Sequence, residues 1–143
     1  MRILVLIFTI LGFTCEAQNT FNKRIDLFQS WGDNAWSLQV DSQNIWVLIG
    51  TWPNGQLNGP LASVLLKLDL NGNVLDVDVY SHPYADVYPG GPQSLNLAIN
   101  GFIFGGSYED TSGDSQALLT RIKANGDTAW TGKFLSLIHI SDP

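Results

Sequence analysis

Hydrophobic and polar residues alternate along much of the chain after the first twenty positions. Val64, Leu66, Leu68 and Leu70 fall on one parity, and Leu65, Lys67 and Asp69 on the other. Such alternation predicts a β-strand, because successive side chains point to opposite faces of a sheet. Asn71-Gly72 interrupts the pattern, after which Leu75, Val77 and Val79 alternate with Asp76 and Asp78. Two alternating runs joined by Asn-Gly predict a β-hairpin with a type I′ turn, which needs positive φ at both central residues. Asn125-Gly126 predicts a second hairpin of the same kind. Upstream of each, IWVLIG (Ile45–Gly50) and FIFGG (Phe102–Gly106) are continuous apolar runs. They predict strands covered on both faces.

These elements recur in the same order. SLQVDSQNIWVLIGTW (Ser37–Trp52) aligns with SLNLAINGFIFGGSY (Ser94–Tyr108), pairing Ser37 with Ser94 and Gly50 with Gly106, and further on Asn71 aligns with Asn125. Each unit reads as strand, short turn, strand, long loop, strand, Asn-Gly, strand. FNKRIDLF (Phe21–Phe28) alternates like the last strand of such a unit. A four-stranded antiparallel unit with a period of about 55 residues predicts an all-β chain built of β-propeller blades. The competing architecture is a single β-sandwich of about nine strands. The predicted layout is an N-terminal strand at 21–28 and blades at 36–80 and 93–134. This makes about two blades plus one strand, an open and incomplete ring. Closed propellers have about four to eight blades. The chain therefore reads as a fragment whose structural partners are the remaining blades of a longer protein; the alternative is a small domain that assembles into a ring.

The segments LLKLDLNGNVLDVDVY (Leu65–Tyr80) and LLTRIKANGDTAWTGKF (Leu118–Phe134) resemble the β-propeller repeats of secreted bacterial proteins of the Bacteroidetes type. The resemblance spans Phe21 to Phe134 and implies the propeller fold and export, not a particular activity. It departs from the family pattern at one place: the second copy carries the expected tryptophan, Trp130, where the first has Asp76. If Trp130 packs between blades, the first copy lacks that plug.

The N-terminus bears on compartment. Met1-Arg2, the apolar run Ile3–Phe13 and Cys15-Glu16-Ala17 have the form of a signal peptide (residues 1–17) cleaved near Ala17. The run is too short to span a bilayer, which takes about 20 apolar residues. Lipidation at Cys15 is the weaker alternative. The expected location is secreted, cell-surface or periplasmic. Cys15 is the one cysteine, so cleavage removes any thiol chemistry. The net charge of −6 argues against nucleic acid or an anionic membrane as partner, since either calls for a basic stripe. Leu135–Pro143, LSLIHISDP, fits no position of the repeat and resembles translated adapter sequence, so His139 is set aside.

Candidate chemistry concentrates at one end of the predicted blades. The long segments Trp52–Ser63, Ser81–Gln93 and Tyr108–Gln116 share that end by topology, and loops on a rigid scaffold are where binding concentrates. Trp52, Tyr84, Asp86, Tyr88 and Tyr108 are the expected ligand-binding residues, with the aromatics as a stacking platform for a glycan or a protein partner. Covering the blade ends is the alternative role for the same aromatics. Glu109, Asp110 and Asp114 are weak candidates for a cation, because their spacing matches no established loop. His82, beside Pro83, reads as a turn residue. Neither a G-x-S-x-G, nor a phosphate loop, nor a paired-histidine zinc motif occurs. Neither a catalytic set nor a cofactor is expected. The reading is an exported, non-catalytic scaffold or binding module, with a polysaccharide-acting propeller enzyme as the alternative.

Overall fold

The computed structural model describes residues 23–29, 32–53 and 59–134. The predicted signal peptide, the start of the 21–28 strand and the 135–143 tail lie outside the described residues. The described chain is all-β, with antiparallel pairing throughout and no helix. Strands β1 (Asn34–Val40), β2 (Asn44–Thr51), β3 (Ala62–Asp69) and β4 (Val74–Tyr80) form a meander in sequence order. A second sheet is centred on β7 (Gly101–Glu109), flanked on one side by β8 (Ser115–Lys123) and then β9 (Thr128–Phe134). On its other side lie two short strands, β5 (Asp86–Pro89) against the C-terminal half of β7 and β6 (Leu95–Ala98) against the N-terminal half. The sheets are open, not closed on themselves.

Both Asn-Gly hairpins form, with a turn different from the one expected. Gly72 donates to the Asp69 carbonyl and Asp69 donates to the Asn73 carbonyl, while Gly72 has φ of 78° and Asn71 is not at positive φ. This is a type I turn followed by a left-handed glycine, the three-residue connection with a bulge. The Asp69 carboxylate selects it by accepting the backbone N–H groups of Asn71 and Asn73. The second hairpin repeats the geometry, with Gly126 donating to Lys123 at φ of 87°. The register shifts fall at Lys67/Leu68 and at Arg121/Ile122.

The two sheets pack face to face over a shared core. Trp46, Leu48 and Leu65 of the first meet Val87, Leu95, Phe102, Phe104, Leu118 and Ile122 of the second. Ring contacts tie them, Trp46 to Phe102 at 4.4 Å and Tyr80 to Phe104 at 5.6 Å between centroids. Hydrogen bonds bridge the layers as well: Leu95 N–H donates to Ser37 Oγ, Gln39 Nε2 to the Leu95 carbonyl, and Ser63 Oγ to the Val87 carbonyl. The other face of the first sheet, Val47, Ile49, Val64, Leu66 and Leu68, packs under Ile25 and Leu27. Burial of β2 and β3 on both faces accounts for their continuous apolar runs.

Three expectations are corrected. Lys23–Asp26 forms no paired strand; it lies as a cover, held by Leu27 N–H to Asp33 Oδ2 and by Lys23 Nζ to Asn73 Oδ1. The segment Ser81–Gln93 is not all loop, since its centre pairs as β5. Finally, Gly106 does not correspond to Gly50. Phe102 faces Ile122 as Ile45 faces Leu68, which matches Gly106 to Ile49. The mismatch arises because Gly106 lies against β5, where a Cβ would sit 2.1 Å from the Tyr88 carbonyl oxygen.

Charge inside this packing has a measurable consequence. Burial, followed by the neighbouring charges of Asp76 and Asp127, pushes the Asp78 carboxyl above its ordinary value. A raised carboxyl means the folded state binds the proton more tightly, so the ionised group opposes folding above that raised value. Asp78→Asn is expected to stabilise the chain at pH 7 by less than about 1 kcal/mol, given screening of a partly exposed group. The gain shrinks as pH falls through the raised value toward 3.8 and is absent below it. Urea melts of the two proteins across pH 3–7 check the sign.

Candidate functional site

The β2–β3, β4–β5 and β7–β8 connections meet at one end of the molecule. There they line a cleft of about 570 Å³ formed by Trp52, Gly59, Pro60, Pro83, Tyr84, Ala85, Asp86, Tyr88, Glu109, Asp110 and Thr111. Four of the residues expected from the sequence, Trp52, Tyr84, Asp86 and Tyr88, therefore share one cleft. Tyr84 is the most open of them, 73% exposed. The fifth, Tyr108, belongs elsewhere. It points between the sheets from β7, packs against the shared core, and lines a separate cavity of about 270 Å³ with Tyr80, His82, Thr131 and Lys133. Lys133 Nζ sits 3.2 Å from the centroid of the Tyr108 ring, and His82 lies edge-on to that ring at 5.3 Å.

Each wall of the cleft has a local cause. β5 is held beside β7 through the pairs Asp86↔Glu109 and Tyr88↔Ser107. It is tied to the first sheet by Val87 N–H donating to the Leu61 carbonyl, while Leu61 N–H donates to Asp86 Oδ1 at 2.6 Å. The second Asp86 oxygen accepts from the Tyr88 hydroxyl at 3.0 Å. Burial, the hydrogen bond to Asp86, and the charges of Asp86 and Glu109 push the Tyr88 phenol upward, so it remains a neutral donor through the physiological range. Asp86 and Glu109 are direct cross-strand neighbours, a spacing of about 5 Å between Cβ atoms in antiparallel sheets.

The β7–β8 connection is tighter than a long loop, because β7 continues to Glu109 and β8 begins at Ser115. Gly113, at φ of 84°, donates to the Asp110 carbonyl, and Asp110 Oδ1 accepts Ser112 N–H, Ser112 Oγ and Asp114 N–H. Those bonds, led by the Ser112 hydroxyl, hold the Asp110 carboxyl below its ordinary value. One oxygen of Asp110 is thus committed to shaping the turn. Among the described residues no group of three or more His, Cys, Asp or Glu side chains converges as a metal site.

The cleft offers flat aromatic surface beside carboxylate acceptors, and among the described residues its lining contains no lysine or arginine. Pro60 and Pro83, which complete the apolar wall, were not singled out by sequence reasoning; their signal was only that proline punctuates loops. No helix among the described residues is long and apolar enough to cross a membrane. No protein-family model, no curated protein and no solved structure matches the chain.

Proposed function

We propose that this chain is part of an exported β-propeller-type repeat protein, and that it acts as a non-catalytic module whose end cleft binds neutral glycan. The observation that carries the binding reading is the composition of the cleft: Trp52, Tyr84 and Tyr88 as stacking surface, with Asp86, Glu109 and Asp110 as hydroxyl acceptors. Sugars present apolar C–H faces to aromatic rings and donate hydroxyls to carboxylates. The lack of a lysine or arginine among the described lining residues disfavours acidic sugars. The propeller-type reading is supported by the stacking direction. Matching the hairpins by register, the face of the second sheet that meets the first (Phe102, Phe104, Leu118, Ile122) corresponds to the opposite face of the first (Ile45, Val47, Val64, Leu68). Units stacked head to tail in this way can continue; two sheets closing a sandwich through equivalent faces cannot.

Titration calorimetry with neutral and anionic oligosaccharides tests the binding. A neutral glycan is expected to bind, and Trp52→Ala and Tyr84→Ala each to weaken it about tenfold, or about 1.4 kcal/mol. Binding indifferent to both substitutions, or no binding to neutral glycans, rejects this site. The second reading, a polysaccharide-acting enzyme, has in its favour that Asp86 and Glu109 are cross-strand neighbours lining one cleft, since glycoside hydrolysis uses a pair of carboxyls. Product release that is abolished in Glu109→Gln would favour the enzyme over the module.

A further inference from the structure

We infer that the outer face of the second sheet is a docking face for a third sheet unit of the same repeat type, and not for a second copy of this chain. The inference rests on the head-to-tail reading above and names the partner of a surface that reading leaves open. By register, Lys67 and Leu65 of the first sheet correspond to Arg121 and Leu119 of the second, and Asp76 to Trp130, the pair at each bulge. Continuing past the bulge, Tyr80 corresponds to Phe134 and Ser63 to Ala117. In the first sheet three of these positions are spent on the next unit, while Asp76 stays exposed: Leu65 is in the shared core, Tyr80 packs on Phe104 and donates to the Gly126 carbonyl, and Ser63 donates to the Val87 carbonyl.

In the second sheet the counterparts of Tyr80, Ser63 and Leu65 are less covered. Phe134 is 55% exposed, Ala117 is exposed where Ser63 is fully buried, and Leu119 is half-buried where Leu65 is buried. A second observation agrees. Ser37 Oγ accepts the Leu95 N–H of the following sheet, and its counterpart Ser94 has a buried Oγ with no hydrogen-bond partner among the described residues. The lone charge in this set, Arg121, is turned onto the carbonyls of Ile99, Phe102 and Ile122. The counterparts of the first sheet's covered positions are thus apolar, with aromatic side chains on the edge strand β9.

The occupant follows from what the first sheet presents. A second copy adding head to tail would have to offer Val47, Ile49, Val64, Leu66 and Leu68, which Ile25 and Leu27 already cover. A unit of the β5–β9 kind has no such cover and offers Phe102, Phe104, Leu118 and Ile122. Since Phe134 corresponds to Tyr80, such a unit can be grafted after Phe134 in the register in which Ser81 follows Tyr80.

The test inserts a second copy of residues 81–134 after Phe134 in the full chain, with Cys15→Ser and a reporter Ala117→Cys in the first copy. Thiol labelling of that cysteine is expected to slow at least tenfold relative to the chain without the insert. Ala124→Cys should label equally in both, because its counterpart Leu70 remains exposed in the covered sheet. Equal labelling of Ala117→Cys with and without the insert overturns the inference. So does an inserted unit that adds no β-sheet signal in circular dichroism, because the face then fails to template it. Concentration-dependent protection in the chain without the insert would make a second copy the occupant and overturn it too. Glycan titration of the uninserted chain reports on the cleft independently, so the two readings can fail separately.

Discussion

Phe104→Ala is expected to cost about 3–5 kcal/mol, the range for removing a large aromatic from a packed core. Phe104 is fully buried in the layer shared by the two sheets and packs at a tilt against Tyr80 across it. A domain of this size has roughly 5–15 kcal/mol of stability, so the loss is a large fraction of the whole. Because the core is common property, both sheets should lose stability together. In urea, tryptophan fluorescence and circular dichroism are expected to shift in step to a lower midpoint. Ile103→Ala, on the opposite and half-buried side of the same strand, serves as the comparison and should cost about 1 kcal/mol. A Phe104→Ala loss no larger than that of Ile103→Ala would mean that the sheets do not share a core.

Gly106→Ala carries the second large effect, for a different reason. Its added Cβ would lie 2.1 Å from the Tyr88 carbonyl oxygen and 3.3 Å from the Gly90 nitrogen, both backbone atoms that no side-chain rotation can clear. Either the chain loses about 1–3 kcal/mol or more to overpacking, or β5 leaves β7. Both outcomes disturb Asp86 and Tyr88, because Pro89↔Gly106 is the inner end of the ladder that holds them. Hydrogen exchange reads this directly: the Val87 amide, bonded to the Leu61 carbonyl, should lose protection. Gly91→Ala, with nothing within 4 Å of the added carbon, should leave it unchanged. Protection of Val87 that survives Gly106→Ala would show that β5 is held by the first sheet alone.

The two substitutions separate what builds the scaffold from what positions the cleft. Phe104 acts through apolar area removed from water, which any residue of similar volume partly restores. Gly106 acts through backbone approach, which only the absence of a side chain permits. The cleft depends on the second. Its aromatic wall comes from three connections, but Asp86 and Tyr88 stand on a four-residue strand with few bonds of its own.

The strands and both Asn-Gly hairpins were legible in the sequence because alternation and turn chemistry are local properties. Val64–Asp69 and Val74–Tyr80 needed no tertiary information to be read as a hairpin. The turn type was misread even there, because the Asp69 side chain, outside the Asn-Gly pair, captures the backbone N–H groups that select it. β5 was hidden because its four residues, Asp-Val-Tyr-Pro, carry only one apolar side chain in strict alternation and end in proline. Gathering of loop residues at one end was readable from strand direction alone. Which of them share a cleft was not: Tyr108 and Glu109 are sequence neighbours, yet alternation sends one between the sheets and the other to the cleft.

By itself the sequence determined an antiparallel all-β chain, the places where it reverses, and the aromatic and acidic character of its loops. Only the tertiary structure decided which sheet face meets which, that Lys23–Leu27 covers one of them, and that Trp52, Tyr84, Asp86 and Tyr88 line one cleft. The division has a simple origin. Hydrogen-bonding periodicity and turn preference act over a few residues, whereas the choice of facing surfaces is a competition among apolar areas far apart in the chain, settled only when water is excluded between them.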